Sequence, residues 1–309
     1  MLVNNPPVAL ADNLWMLGTA AYPLYLFHAP GGAAILEGGT GAMARLVCEQ
    51  MQSLGIAREA VTQLVITHAH PDHVMAVPRL REVFPGLSVV ASEPAARTLA
   101  AEKAIAAFAQ VDEALTASLL AAGTIREEHR PQPMAAKQIA VDRIVREGDT
   151  VAVGDLALEV LETPGHSECS LSFYEPRAKI LLISDATGYY LPEHHGWWPN
   201  YFADYGAYLR SIQRLAGLDA EILCLSHNAA VCGSEDVRAY FADAIAATTA
   251  YHDRIVAEAR SGNSVRQIAE QLGAEVHRQT QLMPLDFFQK SCGLLVKQSL
   301  RYEGIEIPK

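Results

Sequence analysis

The sequence is short of positive charge. Its 309 residues carry 24 lysines and arginines against 35 aspartates and glutamates, a formal net charge of -11. That balance excludes the broad basic footprint of a nucleic-acid or anionic-membrane binder and leaves room only for a local basic pocket. Cysteine is scarce too. Cys48, Cys169, Cys224, Cys232 and Cys292 are scattered, odd in number and never spaced C-x-x-C, which argues against a disulfide framework and for reduced thiols in the cytoplasm. No basic stretch followed by an apolar one opens the chain over Met1 to Asn13, and no later apolar run is expected to reach the length of a bilayer crossing. Internal repeats, low-complexity linkers and a G-x-S-x-G nucleophile elbow are also missing.

Half of the chain is apolar, enough for a sizeable core in one large domain or two ordinary ones. Within it, Thr67-His68-Ala69-His70-Pro71-Asp72-His73 concentrates three imidazoles and a carboxylate. Neutral imidazole suits borderline divalent metals, and the carboxylate adds the negative charge that holds a further cation nearby. Leu64 to Thr67 reads as the end of a buried strand. Side chains two apart share a face while the chain stays extended, so His68, His70 and Asp72 are expected to converge. A helix over Val74 to Phe84 follows, kinked or delayed by Pro78. Asp72 alone also admits the lesser reading of a helix N-cap; three histidines at fixed offsets do not reduce to capping or packing.

Before the motif, Leu14 to Leu17, Leu24 to His28 and Ala33 to Leu36 read as antiparallel strands, and Ala42 to Leu54 as a helix. Ser88 to Ala91 is a further strand. The Ala-, Leu- and Glu-rich Pro94 to Ala122 reads as one or two helices, inserted together with the loop from Gly123 to Gln138. Strand character returns at Arg143 to Arg146, Thr150 to Val153, Leu156 to Leu161, Leu171 to Tyr174, Ile180 to Ile183 and Glu221 to Leu225. An aromatic loop bearing Tyr189, Tyr190, Trp197, Trp198, Tyr201 and Phe202 and a helix over Asp204 to Leu215 lie between the last two. The chain after Ser234 is helical. There, Ser264 to Gly273 has a helix-turn-helix flavour that an amphipathic helix ending at Gly273 also explains.

Three more polar residues each follow a predicted strand: His166, Asp185 and His227. Singly they read as a turn cap, a helix cap and a core histidine. Their order and spacing after the first motif resemble the metallo-β-lactamase superfamily over roughly Val8 to Gly233. The resemblance implies an α+β fold, an αββα sandwich with a helical insertion at about 94–138 and a C-terminal helical extension over 234–309 that covers the site. Carried over position by position, His68, His70 and His166 bind one metal, Asp72, His73 and His227 the second, and Asp185 bridges them. Asp72 is also the catalytic candidate. Two divalent ions, zinc or iron with manganese also admissible, would then ready a hydroxide for attack on a carbonyl. Glu37 stands where many members carry Asp, and would orient imidazoles without touching metal. Ser226-His227-Asn228 replaces the commoner glycine-flanked histidine. His70 and the lack of a flavodoxin-like tail argue against the family's diiron flavoprotein branch.

The layout is most similar to the branch containing the quinolone-signal-response 2-aminobenzoylacetyl-coenzyme A thioesterase. That likeness implies a cytoplasmic thioesterase acting on a small-molecule ester or thioester, and a periplasmic antibiotic-degrading role is not expected. Nucleic acid and membrane are not expected partners, and a homodimer is left open. A lactonase or glyoxalase II-like hydrolase is the alternative, and a regulatory interaction protein on the same fold another. Tyr189, Tyr190, His194, His195, Trp197 and Trp198 are the substrate-pocket candidates; ordinary loop packing explains the aromatic ones equally well.

Overall fold

The computed structural model describes residues 1–84, 86–280 and 282–306. Strand β1 (Leu2–Val3) joins the far sheet, after which β2 (Val8–Ala11), β3 (Leu14–Gly18), β4 (Pro23–Ala29) and β5 (Gly32–Leu36) form an antiparallel meander. Helix α1 (Met43–Ser53) leads to β6 (Val61–Val65), α2 (Val77–Val83), β7 (Ser88–Ala91), α3 (Glu93–Leu99), α4 (Glu102–Ala121) and β8 (Arg143–Ile144), the new strands adding in parallel. The second sheet takes β9 (Thr150–Val153), β10 (Leu156–Glu162), β11 (Leu171–Glu175) and β12 (Ile180–Leu182). A separate hairpin of β13 (Tyr189–Leu191) and β14 (Gly196–Trp198) follows, then α5 (Tyr205–Ala216), β15 (Ile222–Cys224) and β16 (Ala230–Cys232). Helices α6 (Ser234–Arg260), α7 (Val265–Thr280) and α8 (Leu285–Tyr302) complete the described chain.

The two sheets have orders β2-β3-β4-β5-β6-β7-β8 and β1-β16-β15-β12-β11-β10-β9. Their facing sides share one apolar core. Met16, Tyr25, Phe27, Leu36 and Val65 of the first meet Val151, Val160, Phe173 and Leu182 of the second. The alternate residues Leu17, Leu24, Leu26, Ile35 and Leu64 join the other core, with the helices. A strand buried on both faces reads as a continuous apolar run, which is why these strands were legible as such. Tyr25 ties the sheets together by donating its hydroxyl to the Leu225 carbonyl at 2.6 Å.

Four expectations change. Pro71 to His73 forms a single 3-10 turn, and α2 starts only at Val77, with Pro78 inside its first turn, where its missing N–H costs nothing. The aromatic loop contains a hairpin, its turn closed by His195 in the left-handed region, φ 46°. α7 runs through Gly273 to Thr280 and does not end there. A Cβ at Gly273 would lie 2.6 Å from the Gln289 Cα, so the glycine serves close approach of α8. Finally, α4 is the one described helix whose 20 residues and mean hydropathy of 1.3 meet the length and composition of a bilayer crossing. It nevertheless carries Asp112 and Glu113 at its centre, and it buries Ile105, Leu115 and Leu119 in the core.

Candidate metal centre

All seven predicted side chains meet at one edge of the sandwich, delivered by the segments that follow β6, β10, β12 and β15. They form two adjoining groups. His70 Nδ1 lies 3.1 Å from His68 Nε2 and 2.8 Å from His166 Nε2, and the latter two atoms are 3.2 Å apart. In the second group, Asp72 Oδ2 is 3.4 Å from His73 Nε2 and 3.6 Å from His227 Nε2. Asp185 stands between them, with Oδ2 3.3 Å from His166 Nε2 and Oδ1 3.3 Å from His227 Nε2. The shared face expected for His68, His70 and Asp72 breaks at the 3-10 turn, which swings Asp72 to His73 and His227.

The tautomers follow from the partners. Carbonyl oxygens only accept, so His166 Nδ1–H donates to Asn200 O and His227 Nδ1–H to Ala21 O, each at 2.8 Å. His73 Nδ1 donates to Glu37 Oε2 at 2.8 Å, and His68 Nδ1 to Ser184 Oγ at 2.9 Å. Each ring therefore turns a bare Nε2 toward the others. Lone pairs facing at about 3 Å repel unless a cation sits among them, and ligands about 2.1 Å from a tetrahedral zinc are spaced at about this distance. His73 Nε2 and Asp185 Oδ1 are buried without a hydrogen-bond partner, as open ligand atoms would be. The donor set thus fits two divalent cations.

The charges agree. Burial, with the neighbouring imidazoles, holds His68 well below the usual histidine range and His70 down at about 3, so both stay neutral. Burial opposes ionisation of Asp72 and Asp185, but the surrounding histidines outweigh it and keep both carboxyls below their ordinary range. His73 and His227 go the other way. Burial would lower them, yet Asp72 and Asp185 raise both, and the same negative charge favours a cation beside these rings.

Glu37 is the hub behind both groups. It is 1% exposed and accepts from His73 Nδ1, from Thr67 Oγ1 at 3.0 Å and from Ser226 Oγ at 3.2 Å. Thr67 in turn accepts from Ser184 at 2.9 Å, so a directed chain runs from His68 through Ser184 and Thr67 to Glu37. Gly38 lets this loop lie against the motif, because a Cβ there would come within 2.5 Å of the His73 carbonyl. Thr67, Ser184 and Ser226 were not singled out from the sequence. Each directly precedes His68, Asp185 or His227, and that recurrence is the signal.

The pocket candidates separate. Tyr189 packs 4.7 Å from the His227 ring, and its hydroxyl donates to Asn228 Oδ1. Tyr190 and Trp197 cluster with Tyr240 of α6, while Trp198 sits against Phe288 of α8. His194 and His195 are exposed at the hairpin turn and belong to neither group. Cys169 accepts from the Ala69 N–H at 3.3 Å and is enclosed between the ligand loops.

Two seven-stranded sheets flanked by helices, with paired histidine and carboxylate groups at one edge, define a metal-binding hydrolase architecture. The chain belongs to the metallo-beta-lactamase superfamily, whose family model matches residues 22–227. Among curated proteins it is similar to a hydroxyacylglutathione hydrolase of Chelativorans, at 30% identity over 40% of this chain and 32% of that protein. It is also similar to an acyl-coenzyme A thioesterase of Gallus gallus, at 29% identity over 50% of each. The chain spans about half or less of the length of these two relatives. Among solved structures, a metallo-beta-lactamase family protein from Thermus thermophilus superposes with TM-score 0.62 at 24% identity, covering 96% of this chain and 95% of that one. A subclass B3 metallo-beta-lactamase of Bradyrhizobium japonicum gives TM-score 0.58 at 17% identity, covering 84% and 97%. The two superpositions show the fold.

Proposed function

We propose that the protein is a metal-dependent thioesterase that hydrolyses a small-molecule acyl thioester in the cytoplasm. The observation that carries the reading is Asp185, whose two oxygens address separate ligand groups 3.3 Å away on either side. His68, His70 and His166 would hold one cation, Asp72, His73 and His227 the second, and Asp185 both. Bound there, a pair of divalent ions supplies Lewis acidity, lowering the pKa of water and polarising a carbonyl. The protein's own work is to fix the imidazoles through Glu37, Ser184, Asn200 and Ala21, and to keep two carboxylates ionised in a buried place. Asp72 is the most exposed of the carboxylates, 23% at its side chain, and is the group placed to take a proton from attacking water.

A thioester suits this equipment. A thiol with a pKa of about 8.5 leaves as thiolate without a strong general acid, and among the described residues no acid dedicated to a poorer leaving group adjoins the cluster. Two relatives carry names describing acyl groups on a thiol, which supports the same substrate class. All five cysteines are free, as a reducing compartment keeps them. The Tyr189 ring beside His227 and the Phe202 ring 5.3 Å from His166 would flank the acyl group. A panel of acyl-coenzyme A, acylglutathione, lactone and aryl ester substrates, run on metal-loaded protein, tests the reading. Chelator-sensitive thioester turnover lost in His70→Ala is expected. Turnover of the lactone alone would replace thioesterase by lactonase.

A further inference from the structure

A cavity of about 880 Å³ lies between α1, α2, α4 and the loop after α4, and none of the seven clustered side chains lines it. Its volume falls within the range of small-molecule pockets. Ala44, Cys48, Met75, Val83 and Ala109 give it apolar walls. Three of its four arginines are already answered by carboxylates, Arg45 by Glu49, Arg79 by Glu82 and Arg130 by Glu127, and the fourth, Arg58, is exposed at the rim. No buried arginine is therefore left to hold an anion inside the cavity. Its most buried charged group is Asp112, 5% exposed. One oxygen accepts the Gly41 N–H at 2.7 Å; among the described residues no side-chain cation reaches the carboxyl, and the second oxygen has no donor. Asparagine would satisfy Gly41 equally well without burying a charge, so the carboxylate's remaining use is to receive a donor from outside the chain.

We propose that this cavity binds a small amphiphilic primary amine, whose ammonium donates to the free oxygen of Asp112 while its apolar body lies along Ala44, Cys48, Met75, Val83 and Ala109. The site is separate from the metal cluster and stands whatever that cluster hydrolyses. A charge-assisted hydrogen bond to a buried carboxylate favours the amine over an alcohol of the same shape by about tenfold or more. Burial also pushes the Asp112 carboxyl up to about 6, so it is ionised and able to pair with an ammonium near neutral pH.

Calorimetric titration of the full-length, metal-loaded protein with phenylbutylamine, phenylbutanol and phenylbutyrate tests this. The amine is expected to bind once per chain, about tenfold or more tighter than the alcohol, with the acid weakest. Asp112→Asn should erase the amine's advantage, and Ala109→Leu, which narrows the cavity, should weaken amine and alcohol alike. Equal affinity for amine and alcohol would overturn the proposal. So would an advantage that survives Asp112→Asn, because a carboxylate other than Asp112, such as Glu82, Glu113 or Glu128 of the same lining, would then be holding the ammonium. If Asp112→Asn does not fold, Ala109→Leu decides: undiminished amine binding there places the site elsewhere.

Discussion

Glu37 Oε2 lies 2.8 Å from His73 Nδ1, with both side chains buried, and the same carboxylate reaches His68 through Thr67 and Ser184. One acidic residue therefore sets the tautomer in both ligand groups. Glu37→Gln keeps the volume but replaces an acceptor of several hydrogen bonds by an amide with one accepting oxygen. Metal affinity should fall about 10- to 100-fold at both positions while the fold persists. Competition against a chromophoric chelator, with circular dichroism as the control, measures this; loss at one position only would show that the Thr67 and Ser184 relay carries nothing.

Asp185 divides its oxygens between the two groups. In Asp185→Asn only one terminal atom remains a ligand, so the content of tightly held metal should drop from two ions per chain to about one, and thioester turnover should fall at least about a hundredfold. Elemental analysis beside a turnover assay reads both. Two retained ions would deny the residue its bridging place.

The C-terminal helix reaches the centre indirectly. Ser299 Oγ lies 3.0 Å from Tyr201 Oη, and Gln298 Nε2 donates to the Phe202 carbonyl at 2.9 Å, in the segment whose Asn200 carbonyl holds His166. Removing each bond by Ser299→Ala or Gln298→Ala should cost about 1 kcal/mol. The expected reading is an about fivefold loss of affinity at the His68, His70 and His166 position. No change there would confine α8 to packing.

Asp112 predicts a pH dependence of its own. Burial, against the lowering effect of the Gly41 N–H, raises its carboxyl from 3.8 to about 6. The folded state then binds more protons than the unfolded one between these values, so this group's contribution falls as pH rises through them. Asp112→Asn, which keeps the acceptor for Gly41, should be more stable than the parent at pH 7.5, by on the order of 3 kcal/mol. The gap should close toward pH 4. Melting curves of the two proteins across this range check it, and a gap independent of pH would contradict it.

The sequence showed strands such as β4, β5, β11 and β12 because both their faces are buried, and β10 through its alternation; the histidine cluster stood out because histidines at fixed offsets have no packing explanation. It hid what depends on backbone detail. The strands β13, β14 and β16 are three residues each, and the hairpin turn passes through Pro192 and a left-handed His195. Gly273 looked like a helix end, because only the partner helix α8 reveals why a side chain is forbidden there. Asp112 does not stand out in an alanine-rich helix, although its place among Ile105, Leu115, Thr116 and Leu119 at helical spacing marks the buried face. The hydroxyls around Glu37 are common residues whose meaning lies only in their common target.

Elemental analysis of the purified protein after incubation with zinc, iron or manganese and removal of loose metal tests the central claim most directly. Two tightly held ions per chain, lowered to one or none by His70→Ala and by His227→Ala, is the result that follows from the paired groups around Asp185. A folded protein that retains no ion in any of these metals would contradict the account.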